Sequence, residues 1–326
     1  MYKSKLTIKQ TQHAIDALKF DFSKQLHKRM KLTRVSAPLF VESQTKLNDG
    51  LNGEEPVSFS PKHTDQKHEI VHSLAKWKRT ALKNYHFEVG EGIYADMNAI
   101  RKEEVLDYKH SYYVDQWDWE IVISPEQRNI DFLKQTVKKV YESIKFVKRE
   151  LILDFPELTY DFPEDLTFIT SKELYDMYPN LSADERENEF AKEHKAFFVI
   201  GVGYPLPDGK PHSQRAFDYD DWDLNGDLIF YDKINDSALE ISSMGIRVNS
   251  ISLEKQKTFH SVDQTKIGDY HEQIMSNDLP LTIGGGIGQS RLSMLLLEKK
   301  HIGEVQVSTW DQETKDYCLK NGIELL

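Results

Sequence analysis

Gly284-Gly285-Gly286-Ile287-Gly288-Gln289-Ser290-Arg291 runs directly into Leu292-Ser293-Met294-Leu295-Leu296-Leu297. Glycines let backbone approach a ligand closely and leave N–H groups unshielded, and Arg291 supplies an always-charged fork for phosphate oxygens. Read this way, the stretch is a glycine-rich turn that delivers one arginine at the mouth of an apolar helix, a layout suited to a nucleotide phosphate. It fits neither common glycine template. A dinucleotide fingerprint requires a third glycine where Gln289 or Arg291 stands, and a P-loop requires Gly-Lys-Ser/Thr after the glycines. Those loops also open a βαβ unit, whereas this one comes late in the chain. A buried helix entered through a flexible turn explains the stretch equally well, so the remaining sequence has to decide.

The 326 residues carry a net charge of -11, with 39% hydrophobic and 29% charged residues, the balance of a chain that buries a core. The acidic excess disfavours nonspecific binding to nucleic acid or to an anionic membrane surface, both of which need clustered Lys and Arg. It leaves a local phosphate pocket open. Cys318 is the only cysteine, which rules out an intramolecular disulfide and a thiolate zinc site and sets the expectation of a reducing, cytoplasmic setting. Met1-Tyr2-Lys3-Ser4-Lys5 lacks the apolar core of a signal peptide. The longest apolar stretch, Ala196 to Leu206, contains two glycines and a proline and is too short to span a bilayer; it reads as a buried strand and its turn. No repeat or low-complexity tract interrupts the chain, and the most linker-like segment is Asn48 to Asp65. A single catalytic domain over residues 1–326 is the expectation.

Ile15, Leu18, Phe22 and Leu26 recur at helical spacing, which predicts an amphipathic helix over 8–30. Val35-Ser36-Ala37-Pro38-Leu39-Phe40 then reads as a short or edge strand, because proline cannot donate to a ladder. A second helix is predicted from Ser124, Pro125 and Gln127 as its cap and from the stripe Ile130, Leu133, Val137, Val140, Ile144 and Val147. Its lysines, Lys134, Lys138, Lys139, Lys145 and Lys148, read as a solvated face. In Val114-Asp115-Gln116-Trp117-Asp118-Trp119-Glu120 the period of two puts Gln116, Asp118 and Glu120 on one face and the tryptophans on the other, a core face and a site face.

Two further strands carry acids: Asp227-Leu228-Ile229-Phe230-Tyr231 and Leu239-Glu240-Ile241-Ser242. Antiparallel pairing across their short connection brings Asp227 and Glu240 together, and a shared Mg²⁺ bridging phosphate oxygens would remove their repulsion. Two unrelated surface acids explain the pair as well. In Ile100-Arg101-Lys102-Glu103, a strand would place Arg101 and Glu103 on one face about 7 Å apart, Arg101 for a phosphate and Glu103 for an adenine amino group; surface charge is the alternative.

Taken in order, the helix leading to Pro38, Arg101-x-Glu103, Gln116-x-Asp118-x-Glu120 and Gly286-x-Gly288-x-x-Arg291 resemble the three motifs of class II aminoacyl-tRNA synthetases, particularly the aspartyl branch. The resemblance narrows on His72-Ser73-Leu74-Ala75-Lys76-Trp77-Lys78-Arg79, Tyr113 to Glu120, Asp218-Tyr219-Asp220-Asp221-Trp222 and Ser242-Ser243-Met244-Gly245-Ile246-Arg247. These blocks look like the aspartate-ammonia ligase family, the ammonia-dependent asparagine synthetases, from residue 8 to about 305. The resemblance implies an α+β fold, an antiparallel sheet flanked by helices, in a homodimer whose contact uses the helix and strand within residues 8–40. It implies that ATP and L-aspartate give a β-aspartyl adenylate and pyrophosphate, after which ammonia displaces AMP to form L-asparagine.

The same resemblance implies residue roles. Asp49, Arg101, Gln116 and Arg291 are expected to serve catalysis; Ser73, Lys78, Gln116, Asp118, Asp220, Ser242 and Arg247 to hold the amino acid, with Lys78 and Arg247 on its carboxylates. Arg101, Glu103, Val114, Gly286, Gly288 and Arg291 are expected at ATP, and Asp227 and Glu240 at Mg²⁺. Asp49 lies in the loop Leu47 to Gly53, where Asn, Asp and Gly also serve turns; as a lid it would exclude water from the adenylate. Tyrosine stands at position 2 where one class of glutamine amidotransferase has its nucleophilic cysteine, which points to free ammonia. The alternatives are another ligase that adenylates an amino acid, including a truncated aspartyl-tRNA synthetase, and a noncatalytic synthetase paralogue.

Overall fold

The computed structural model describes residues 2–50 and 53–326. Leu51 and Asn52, part of the loop read as a lid, lie outside the described residues. The chain opens on helix α1, Ile8–Met30, whose cap Thr7 and Gln10 satisfy each other's backbone N–H groups. Strand β1, Leu32–Arg34, follows at once, and a small sheet is made from β2, Phe40–Glu42, β3, Ser58–Phe59, and β4, His68–Ile70. After α2, Ala75–Asn84, come β5, Gly92–Ile100, β6, Tyr113–Val122, and the long α3, Ile130–Asp154. Strand β7, Thr167–Thr170, leads through α4, Ser171–Met177, and α5, Ala183–His194, to β8, Ala196–Ile200. The hairpin of β9, Asp220–Asp232, and β10, Ser237–Arg247, is followed by α6, Ser250–Phe259, α7, Asp269–Met275, β11, Thr282–Gly288, α8, Gln289–Leu296, and α9, Gln312–Asn321.

Eight strands form one sheet in the order β1-β5-β6-β11-β10-β9-β8-β7. Its six central strands, β5 to β8 in spatial order, are antiparallel, whereas the two edge pairs, β1 with β5 and β7 with β8, run parallel. One face packs against α1, α3 and α8, where Leu18, Phe22, Leu26, Val137, Val140, Ile144 and Leu292 bury with Trp117 and Trp119. Phe22 and Trp117 meet with ring centroids 4.5 Å apart. Among the described residues, apolar cover on the opposite face comes from Leu174, Phe190 and Ala191 of α4 and α5 at one end and from residues around α2 at the other. Between those covers the strands present polar side chains to a cavity.

The helix over 8–30 is found as expected, as is the apolar stripe of α3. Four details differ. The strand after α1 lies at Leu32–Arg34 rather than 35–40, and Pro38 separates it from β2, since the missing N–H cannot extend either ladder. Ser124 and Gln127 cap a separate 3₁₀ turn, Pro125–Gln127, while Asn129 caps α3 by accepting from the Phe132 N–H. Lys145 and Lys148 are buried: Lys145 binds Glu142 at 3.1 Å and Glu164 at 3.2 Å, and Lys148 donates to the Leu296 carbonyl at 2.6 Å. The glycine-rich stretch is strand β11, paired on both sides, and no turn.

Lys148 also meets Glu298, which ties α3 to the end of α8 and to the N-terminal segment: Glu298 lies 3.1 Å from Lys148, 2.6 Å from Lys5 and accepts from the Thr159 N–H at 2.6 Å. Burial alone would raise this carboxyl, but Lys5, the Thr159 N–H and Lys148 hold it down to about 2. A depressed folded-state pKa adds stability that is present above the unfolded value, about 4.3, and is lost as pH falls toward the folded one. Glu298→Gln is expected to cost about 3 kcal/mol at neutral pH by leaving Lys148 and Lys5 unpaired. Denaturation across pH should find the difference from wild type shrinking below about pH 4.

Candidate active site

A cavity of about 360 Å³ opens on the uncovered middle of the sheet, and its walls collect residues from β6, β9, β10, β11, the starts of α2 and α8 and the loops beside them. Strand β6 supplies Gln116 and Asp118 from the face opposite the tryptophans. The next residue on that face, Glu120, is fully buried and accepts from Arg247 on β10 and from the Thr282 hydroxyl at 2.6 Å. Arg247 spans the gap: Nε and Nη2 bind Glu120 at 3.0 and 2.8 Å, and Nη1 binds Asp220 of β9. Burial would raise the Glu120 carboxyl, yet Arg247 and Lys78 bring it below its ordinary value; Asp220, also pushed up by burial, remains raised despite Arg247 and Arg215. A charged group is kept inside the protein only where partners replace its water, and this triad meets that condition.

The glycines of β11 explain how so much charge fits. A Cβ on Gly284 would stand 2.0 Å from Glu120 Oε2, and one on Gly286 would stand 2.4 Å from Gln116 Oε1. Glycine is required here by close approach; both neighbours of β11, β6 and β10, take its backbone in regular pairing from Ile283 to Ile287. The expectation of unshielded N–H groups cradling phosphate is therefore corrected: the ladder uses the backbone, and Gly286 and Gly288 form a flat stretch of cavity wall.

Asp49 reaches the cavity from the loop before β3. It is buried and accepts from the Ser73 hydroxyl at 2.8 Å. Asn48 fixes the same loop by accepting from the His72 N–H at 2.8 Å. Tyr219 lies between this loop and Asp220: burial, followed by the Asp49 and Asp220 carboxylates, drives its phenol well above the usual range. At the other end of the cavity stand Arg101, Val114, Glu240 and Arg291, with Arg291 Nη1 donating to the Glu240 carbonyl at 3.2 Å and lying 3.9 Å from its carboxylate. Asp227 and Glu240 come together as the hairpin predicted, with Asp227 opposite Ser243 and Glu240 opposite Ile229 across a bulge. Burial first, and then Glu240 against the pull of Arg215, pushes the Asp227 carboxyl up to about 7.

Four expected residues are outside the cavity lining, Asp227 among them, buried and held by Arg215, which lines the wall in its place. Strand β5 stops at Ile100 and Arg101 opens a turn in which its carbonyl accepts from the Glu104 N–H at 3.2 Å. The turn rotates Glu103 out to solvent, where it accepts from the Glu55 N–H at 3.4 Å, and Glu104 lines the cavity in its place. Ser242 sits in the β10 bulge and donates to the Gly286 carbonyl at 2.9 Å, so Ser243 faces the cavity. Lys78 is fully buried behind Asp118, bound to it and donating to the Trp119 carbonyl at 2.9 Å; burial lowers its pKa against Asp118 and Glu120. Arg215, which the sequence reading passed over, lines the cavity and takes Asp227 Oδ1. Its signal was an arginine in the run-in to Asp218-Tyr219-Asp220, three residues before that block.

A sequence model of the family described as aspartate-ammonia ligase matches residues 9–322. The chain belongs to the aspartate-ammonia ligase family. A curated member from Bacillus cytotoxicus, named Aspartate--ammonia ligase, is 51% identical over 326 residues, and one from Bacillus cereus is 50% identical, each covering 100% of both chains. Among solved structures, asparaginyl-tRNA synthetase of Pyrococcus horikoshii complexed with asparaginyl-adenylate gives a TM-score of 0.68 at 16% identity, covering 92% of this chain and 68% of that one. Asparaginyl-tRNA synthetase of Entamoeba histolytica in complex with asparaginyl-adenylate gives 0.67 at 15%, covering 92% and 66%. At such identities these two carry the fold alone, and it is the class II synthetase fold that the ligase family shares.

The glycine wall gives a direct test in this ligase. Gly286→Ala puts a methyl group where the Gln116 amide stands, and overpacking of this kind costs about 2 kcal/mol, or roughly thirtyfold in an equilibrium constant. The KM for aspartate should rise by about that factor, and a matching rise in the KM for ATP would place Gly286 at the nucleotide, as the family resemblance expects. An unchanged aspartate KM would show that Gln116 has room to move.

Proposed function

We propose that this chain catalyses the ATP-dependent amidation of L-aspartate by ammonia, yielding L-asparagine, AMP and pyrophosphate through a β-aspartyl adenylate. The observation that carries this reading is the division of one cavity into an end with both charge signs, suited to an amino acid bearing an ammonium and two carboxylates, and an end with Arg101, Arg215, Arg291 and Glu240, backed by Asp227 beneath Arg215, suited to a metal-bound triphosphate.

The aspartate side chain is ionised at neutral pH, with an ordinary pKa of about 3.9, so activation needs charge neutralisation and alignment. Arg101 neutralises the α-phosphate as a carboxylate oxygen bonds to the α-phosphorus and the bond to pyrophosphate breaks. Arg291 holds the nucleotide beside Val114. Arg247, already at the cavity wall, takes a carboxylate of aspartate; Lys78 acts from behind by orienting Asp118. In the second step the ammonia nitrogen bonds to the acyl carbon, the carbon–oxygen bond to AMP breaks, and one proton leaves nitrogen for Asp49. Gln116 and Ser73 supply neutral hydrogen bonds.

Asp227 and Glu240 suit Mg²⁺: they face one another closely enough to raise Asp227, Arg215 occupies only Oδ1 of Asp227, and magnesium takes one or two carboxylates with phosphates and waters completing its shell. Bound there, the ion would screen the triphosphate from the incoming carboxylate. Free ammonia is supported by Cys318, the only cysteine, whose thiol on α9 is buried and pushed up to about 11, far from a poised nucleophile. A homodimer contact fits the exposed Ile8 and Phe20 of α1 and the exposed Leu39, Phe40 and Phe59 at the small sheet.

Incubation with ATP, Mg²⁺, aspartate and ammonia should give equal amounts of AMP, pyrophosphate and asparagine; ADP as product would contradict the adenylate. Arg101→Ala removes a preorganised contact worth on the order of 3 kcal/mol in the transition state, and kcat should fall more than about 10²-fold in a protein that melts like wild type. Asp49→Asn should lower the ratio of asparagine to AMP, and an unchanged ratio would remove Asp49 from the second step.

A further inference from the structure

Behind the amino-acid end lies a buried polar hub that the chemistry above does not use. The Asp218 carboxylate, one residue before Tyr219 and two before Asp220, is 4% exposed. Lys76 of α2 lies 2.6 Å from its Oδ2, and His271 of α7 meets the same oxygen through Nε2 at 2.9 Å. His271 Nδ1 accepts from the Gly268 N–H at 3.1 Å, so the proton of the neutral ring is on Nε2 and points at Asp218. The ring also stacks on Phe217 at 5.6 Å.

Lys76 has a second acceptor, the Lys46 carbonyl at 3.2 Å. Lys46 holds a left-handed conformation, φ 55°, where the chain turns toward Asn48 and Asp49; a non-glycine residue persists there only when its surroundings enforce it. On the far side, Gly268 approaches closely enough that a Cβ would stand 3.1 Å from Lys46 Cγ. Leu47 and Phe217 pack against the same buried cluster of Val248, Leu253 and Tyr270. Four segments are thereby joined around one carboxylate: the loop carrying Asp49, the helix that begins beside Ser73, the strand carrying Asp220, and α7. Arg101 and Arg291 stand just after β5 and on α8, and none of the hub's hydrogen bonds includes either.

We propose that Asp218 is a positioning residue for the amidation: with Lys76 and His271 as its buried donors, it fixes the Asp49 loop against Tyr219 and Asp220, and so sets aspartate affinity and the capture of the acyl intermediate by ammonia without affecting ATP binding. This rests on the functional reading given above, which asparagine formation by the wild-type enzyme tests separately.

Steady-state kinetics of full-length Lys76→Met, Asp218→Asn and Lys76→Arg provide the test. Loss of one charge-assisted hydrogen bond predicts a rise of about tenfold or more in the KM for aspartate in the first two variants, with the KM for ATP within about twofold. Less than one asparagine should form per AMP as unprotected adenylate meets water, and Lys76→Arg should restore both readouts toward wild type. Equal changes in the two KM values with one asparagine still formed per AMP, or no change at all, would overturn the proposal. Should Lys76→Met fail to fold, the other arm of the hub decides. His271→Leu should give the same split and His271→Gln, whose amide can donate in place of Nε2–H, should not; identical behaviour of those two would overturn it as well.

Discussion

One guanidinium organises the site. Arg247 lies fully inside the protein between Glu120 and Asp220, and those three side chains join β6, β10 and β9 across the open face of the sheet. Such a group is tolerated away from water only when each charge is paired and hydrogen-bonded, so the strands that carry it must keep their register. A register slip of one residue would turn Glu120 into the tryptophan core and bring Trp119 to the site. The absence of a side chain at Gly284 is part of the same constraint, because any Cβ there would displace Glu120.

On the proposed function, a division of labour along the cavity follows from this anchor. Charges near Arg247 are balanced before substrate arrives, which leaves the amino-acid end rigid and selective without a large net field. At the nucleotide end the balance is incomplete. Burial and Glu240 raise Asp227 and Arg215 offsets only part of that, a deficit that a cation with a triphosphate would make up on the proposed function.

Much of this was legible in the sequence where periodicity carried the information. The two faces of β6 were readable from alternating acids and tryptophans, and the stripe from Leu133 to Val147 gave α3, because burial on a strand or helix writes itself at periods of two or 3.6. Convergence of Asp227 and Glu240 was readable from the short hairpin connection. The glycines of β11 were misread as a turn because sequence shows missing side chains but not the neighbours that need the space; Gln116 and Glu120 lie far off in the chain. Glu103 and Ser242 were displaced by a turn at Arg101 and a bulge near Ile241, one-residue irregularities that no spacing rule announces. Lys145 and Lys148 looked solvated because their partners Glu164 and Glu298 are distant in sequence. Arg215 lay outside every motif.

That the aspartate carboxylate bonds directly to the α-phosphorus is tested most directly by isotope transfer. Aspartate labelled with ¹⁸O in its β-carboxylate, turned over with ATP, Mg²⁺ and ammonia, should deliver one labelled oxygen to the phosphate of AMP and none to pyrophosphate, since the bond broken by ammonia is the acyl carbon–oxygen bond. Label in inorganic phosphate formed with ADP, or AMP without label beside newly made asparagine, would contradict it.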